Sequence, residues 1–293
     1  MDLTPRPSPA QPARFHDGGT DTEPPDRAAP LRITLERDTR GATEVFGLGR
    51  RVGYVDEEFG ELLVPADLRT FRTDLTSVPR LFTWLVPRSG EHLPAALVHD
   101  GLVDRSAAYL STDGHVLDRV AADRVFRRAL RDTHTGPVRR WLIWSAVTLA
   151  TLWRGSASWS PARHLRYRLT VAVTLGAIAV LGAVATLDLF DVVAWLPWMG
   201  AGRPWWLELL GGAAGAVVVP LLLAGAWGRF AAAGAVVGVA LAVLLHVTLV
   251  LAAITAAYQA AEWLVRRSPA AAATLAAATV LTAATLTLTL TLR

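Results

Sequence analysis

The sequence predicts an α+β soluble domain, N-terminal strands followed by helices, fused to an all-α transmembrane region of about four helices. Two observations predict it. The first is the distribution of charge: 24 of the 29 basic residues and 21 of the 25 acidic residues lie before position 170. The charge-poor remainder holds uncharged runs of the length that a bilayer core demands, about 20 residues. The second is a change of period inside the charged half, from strand-like alternation before Pro79 to helical spacing after it.

These patterns divide the chain into a disordered tail (1–30), a soluble domain (31–155), a basic juxtamembrane linker (156–168) and a transmembrane region (169–293). The tail is rich in Pro, Asp, Arg and Gly and has no apolar core of a signal peptide. Cysteine is absent, which excludes disulfides and thiolate metal sites. Every basic residue is Arg, a compositional bias in an Ala-rich chain, so the Arg preference is not evidence of guanidinium chemistry.

Within the soluble domain, LRITLE (31–36) alternates Leu31, Ile33 and Leu35 inward with Arg32, Thr34 and Glu36 outward. VGYVDEEFGELLV carries two β-rich runs around Asp56 to Gly60, a hairpin signal. GLGRRVG lacks phosphate-loop spacing and opens no helix, so it reads as a turn. Pro94 suits the first turn of a helix. In that helix, LPAALVHDGLV places His99 and Asp100 side by side among apolar neighbours, where unsatisfied polar groups are costly. The next helix, RVAADRVFRRALRDT, has a stripe of Ala122, Val125, Phe126, Ala129 and Leu130 opposite four arginines. Asp123 sits at the edge of that stripe, and the economical partner for it is His99. The apolar run Trp141 to Trp153 is too short to span a bilayer and reads as a helix closing the domain.

The expected spans are 169–187, 209–227, 230–261 and 270–292. The ending TLTLTLTL is strand-like in period, but a lone strand would leave its backbone unpaired in lipid, so the fourth segment also reads as helix. His246 in the third reads as a neutral histidine bonded to a neighbouring helix. Arg154, Arg163, Arg166 and Arg168 crowd the entrance to the first span, whereas Asp188 and Asp191 mark its exit. The positive-inside rule then places the protein in the cell membrane with its soluble domain cytoplasmic. The same arginines, Arg154 to Arg168, suit anionic lipid headgroups. Nucleic acid is a poorer partner, because aromatics are not interleaved with the Arg-rich helix as a base-stacking surface requires.

The succession VPADLRTFRTDLTSVPR, then LPAALVHD, then AADRVFRRAL resembles the phage-associated family known as domain of unknown function 1353, over about Val45 to Trp153. The positions that carry the likeness are Thr73, Asp74, Ser77, Val78, Pro79, Arg80, His99, Asp100, Ala122, Asp123, Phe126, Ala129 and Leu130. The family usually has an aromatic residue three positions after the aspartate of His-Asp, where this chain has Val103. A looser likeness to phospholipase A2-like domains implies a hydrolase-like His-Asp centre. In it His99 is the base, Asp123 orients it, Asp100 is a calcium ligand, and Asp74, Ser77 and Arg80 form a binding rim. Against that likeness, no Gly-rich calcium loop or cysteine framework is present. Two other readings stand beside it. One is a non-enzymatic, phage-derived interaction module for a protein partner. The other is a buried polar network that pins two helices, with Asp74 and Ser77 capping a turn and Arg80 pairing with an acid.

Overall fold

The computed structural model describes residues 14–38, 45–75, 87, 89–103, 109–199 and 202–270, with short stretches as far as 285. The chain divides into two compact units, Met1–Val243 and Leu244–Arg293.

The first unit begins with strands and continues into helices, an α+β order. β1 (Phe15–Asp17) is the first correction to the sequence reading, because it lies inside the stretch expected to be a disordered tail. A three-residue strand shows no alternation to detect; its place depends on a distant partner. His16 pairs opposite Gly53, where any Cβ would come 2.3 Å from the imidazole, and Asp17 binds Arg50 at 2.6 Å. β2 (Leu35–Asp38) pairs antiparallel with β3 (Val45–Leu48). It starts later than the LRITLE alternation suggests, although Leu31 and Ile33 still pack on the core. β4 (Val52–Asp56) and β5 (Gly60–Val64) form the expected hairpin in register Asp56↔Gly60. Asp56 Oδ1 accepts the N–H groups of Glu58 and Phe59 and so fixes the turn.

α1 (Leu93–Val103) lies on this hairpin, and Gly101 sets how closely. A Cβ at Gly101 would sit 2.0 Å from Val64 Cγ1, so only glycine admits the approach. β6 (Leu110–Ser111) extends the sheet to the order β1-β4-β5-β6. α2 (Arg119–Asp132) is capped by Asp118, whose carboxylate accepts Ala121 N–H at 2.8 Å. α3 (Pro137–Arg154) follows, starting with Pro at its first turn and ending at Gly155. Leu62, Val64, Leu97, Val98, Val125, Phe126 and Leu130 make the common core of hairpin, α1 and α2.

α4 (Pro161–Leu189) starts earlier than the span expected at 169. Ser160 caps it and Pro161 takes its first position, so residues 161–168 of the expected linker are helix. At its far end Asp188 turns inward and accepts the N–H groups of Trp195 and Leu196, each at 2.9 Å. α5 (Trp205–Ala224) runs through a 3-10 segment (Gly225–Phe230) into α6 (Ala231–Arg267). Gly228, at φ 59° and ψ −123°, reverses the chain there, bringing Gly238 to Pro220 and Ile178. Among the described residues two helical stretches, Pro161–Leu189 and Trp205–Val247, are long and apolar enough to cross a membrane, not about four. The second and third expected spans both fall in Trp205–Val247, joined through the 3-10 segment with its break at Gly228. The fourth lies largely outside the described residues.

In the second unit α6 continues to Arg267, where Glu262 pairs with Arg266 one turn on and Arg267 stacks on Trp263. His246 is exposed there.

Candidate functional site

α1 and α2 bring His99 and Asp123 together, as their positions on the two helices suggest. His99 Nε2 lies 2.9 Å from Asp123 Oδ1. An ionised carboxylate only accepts, so this nitrogen carries the proton of the bond. Both residues belong to the core, at 7% and 4% exposure, and the imidazole packs on Phe126 with centroids 4.8 Å apart. One residue further along α1 the side chain points elsewhere, because helical neighbours diverge by about 100°. Asp100 is half-buried and accepts a hydrogen bond from Thr73 Oγ1 at 2.6 Å. The hydroxyl in turn accepts Leu75 N–H at 2.8 Å. Leu75 is buried at φ 70°, a left-handed conformation unusual for leucine, so this turn stores strain beside the polar group it holds.

Asp100 faces an open cleft of about 920 Å³. One wall consists of Thr73, Asp74, Asp100 and Arg119, with Arg72 at its edge. The other is the turn from α3 to α4: Arg154, Ser156, Trp159 and His164. That turn is tightly built. Gly155, at φ 90°, lets the His164 imidazole lie against the backbone, with an added Cβ only 2.9 Å from the ring. His164 Nε2–H donates to the Trp153 carbonyl at 3.0 Å. Trp159 packs on Tyr167 and Phe230. Ser158 donates to Asp118, tying the turn to the start of α2. Burial pushes the Asp118 carboxyl up, but the Ser158 hydroxyl and Ala121 N–H outweigh it and hold the group below its ordinary value.

Asp74 and Asp100 therefore share the cleft, His99 and Asp123 are not among its lining residues, and Ser77 and Arg80 lie outside the described residues. Calcium takes six to eight oxygens, and Asp74 and Asp100 are the carboxylates lining the cleft among the described residues. Among the described residues no group of three or more metal-ligating side chains converges, and arginines line the walls beside Asp74 and Asp100.

Residues 48–147 match the model of a family described as protein of unknown function (DUF1353). No curated protein and no solved structure matches the chain. The DUF1353 match contains the first wall of the cleft and the His99–Asp123 pair but stops before Arg154. The second wall thus comes from the segment that leads into α4. Sequence reading missed that wall. Its one usable signal was the Ser160-Pro161 helix start, which marks Gly155 to Trp159 as a tight inter-helix turn.

A further buried group near α1 also escaped notice. His92 is fully buried, and burial lowers its pKa below the ordinary histidine value.

Proposed function

We propose that this chain is an integral protein of the cell membrane that holds its DUF1353 domain on the cytoplasmic face. There the domain binds a ligand in the cleft between the domain and the α3–α4 turn. One observation carries the membrane reading. The apolar windows of Pro161–Leu189 and Trp205–Val247 are only 17% and 22% buried. Core helices of soluble proteins bury their apolar faces; here Leu169, Val173 and Val180 point outward. Arg163, Arg166 and Arg168 at the start of α4, against Asp188 and Asp191 at its end, support this orientation through the positive-inside rule.

Binding is favoured over turnover because, among the described residues, the histidine paired with a carboxylate near the cleft, His99, is directed into the α1–α2 core. The hydrolase-like reading retains one observation of its own: the His99–Asp123 pair lies directly beside Asp100. In that reading the second ring nitrogen of His99 acts as base.

Two measurements test these statements. In alkaline extraction of membranes from cells expressing the full chain, the protein remains in the pellet. Because the chain has no cysteine, single-cysteine variants report topology. Val192→Cys is labelled by an impermeant maleimide on intact cells and His115→Cys only after lysis. Release into the supernatant would sink the membrane reading. On a panel of carboxyl and phosphate esters, neither wild type nor His99→Gln shows turnover. Turnover by wild type that disappears in folded His99→Gln would establish the hydrolase instead.

A further inference from the structure

We infer that the basic end of the apolar helices is a headgroup site for an anionic phospholipid, built on Arg163 of α4 and Arg229 of the α5–α6 turn; this rests on the membrane reading above. The order of the chain hides such a site. Arg229 falls near the middle of Trp205–Val247, whose other charged residue, Glu208, stands at its start. Were that stretch a single crossing, Arg229 would lie deep in hydrocarbon, where a guanidinium is costly. The break at Gly228 avoids this. Gly238, after the break, packs on Pro220, before it, so the later helical arm folds back on the earlier one. The tip of the turn meets the first half of α4. Trp227 Nε1–H donates to Thr174 Oγ1 at 3.0 Å, and Phe230 packs on Tyr167 and Trp159 with ring centroids 5.4 and 5.9 Å away. The Arg229 guanidinium stacks on the Phe230 ring at 4.8 Å.

Arg229 thereby reaches the face of α4 that carries Arg163, one turn before Tyr167. Arg166 and Arg168 flank that face on either side. All four arginines are exposed, and none of them forms an ion pair among the described residues. Their depth follows from the other end of α4. Asp188 lies about 30 Å along the helix from Arg168, at 1.5 Å per residue. That separation matches a hydrocarbon core, and the exposed rings of Phe190, Trp195, Trp205 and Trp206 stand beyond it as an aromatic belt. The arginines therefore stand at the level of the opposite headgroups. A phosphodiester there matches a guanidinium in both charge and fork geometry. A zwitterionic headgroup brings its own cation toward the cluster, so a headgroup of net negative charge is preferred.

The test is native mass spectrometry of the detergent-solubilised full chain with added phosphatidylglycerol and phosphatidylcholine of matched acyl chains. Phosphatidylglycerol is expected to be retained about tenfold more tightly. Arg163→Gln and Arg229→Gln each weaken phosphatidylglycerol about fivefold and leave phosphatidylcholine unchanged, whereas Arg203→Gln, in the loop at the far end of the helices, changes neither. Melting temperatures checked in parallel confirm that the variants are folded. Equal retention of the two lipids overturns the proposal, and so does an undiminished preference in the double variant Arg163→Gln with Arg229→Gln. A loss in Arg203→Gln as large as that in Arg229→Gln reduces the effect to net charge and overturns the site as well. Displacement of the lipid by equimolar soluble glycerophosphoglycerol overturns the assignment to a lipid. Ala226→Cys, at an exposed position of the turn, reads its depth. An impermeant maleimide is expected to label it only after lysis; no labelling in either state puts Arg229 inside the bilayer and overturns the site. The membrane reading is judged separately, because it fails only if alkaline extraction releases the protein.

Discussion

α1 and α4 are both dominated by apolar residues, and they meet opposite fates. Leu97 of α1 is fully buried between the hairpin and α2, whereas Leu169 of α4 is 55% exposed. Length separates them. Eleven residues make a helix of about 16 Å, which a small domain can surround; 29 residues make about 44 Å, more than the domain can cover. The acids follow the same division. In the domain Asp123 Oδ1 bonds a side chain, His99, from another helix, and its Oδ2 has no hydrogen-bond partner among the described residues. At the end of α4, Asp188 is satisfied by backbone N–H groups of its own connecting turn. The domain uses long-range polar pairing to register its helices; the apolar half uses local capping.

The largest test of that contrast is Asp123→Ala. It leaves the His99 imidazole buried without its partner and is expected to lower stability by about 3 kcal/mol. Equilibrium unfolding of the detergent-solubilised chain measures it. The double variant His99→Phe with Asp123→Leu should recover most of the loss, since replacing both partners removes the unsatisfied group. An Asp123→Ala loss below about 0.5 kcal/mol would mean that the pair does not register the helices.

A matched pair of truncations sharpens the comparison next. Leu97→Ala is expected to cost about 3 kcal/mol through the cavity it leaves. Leu169→Ala is expected to cost less than about 0.5 kcal/mol in detergent, since its side chain has few protein neighbours to lose. Equal losses would show that α4 is packed against protein as α1 is.

The smallest effect is on pH dependence and belongs to the domain alone. His92 has its pKa lowered by burial, so the unfolded chain takes up its proton first. Its contribution is complete above the ordinary value of 6.5 and is lost as pH falls below that, through the folded-state value. Glu61 adds a second stage. The Arg27 guanidinium holds its carboxyl low, so its contribution is complete above the ordinary value of 4.5 and lost below it. Acid unfolding should therefore begin below about pH 6.5, and His92→Leu should flatten only that upper stage. Urea midpoints at a series of pH values read this directly, and an unchanged upper stage in His92→Leu would remove His92 from the account.

Much of this was legible in the chain. The Asp56 to Gly60 hairpin, the α1 and α2 boundaries and the His99–Asp123 pairing follow from local period and helical geometry. β1 was not legible, because three residues without alternation become a strand only when Gly53 and Arg50 receive them. The cleft was not legible either. Its walls are Thr73 to Asp100 and Arg154 to His164, and no local pattern links segments so far apart in sequence.

The amino-acid order by itself determined which segments are charged and folded as α+β and which are apolar helix, since both follow from composition and periodicity within a few turns of chain. Only the tertiary structure decided that neighbouring His99 and Asp100 serve different environments, one locked into the α1–α2 core and the other turned to the cleft. The physical reason is contact: Gly101 seats α1 against Val64, and the rotation of the helix about that contact assigns each side chain its side.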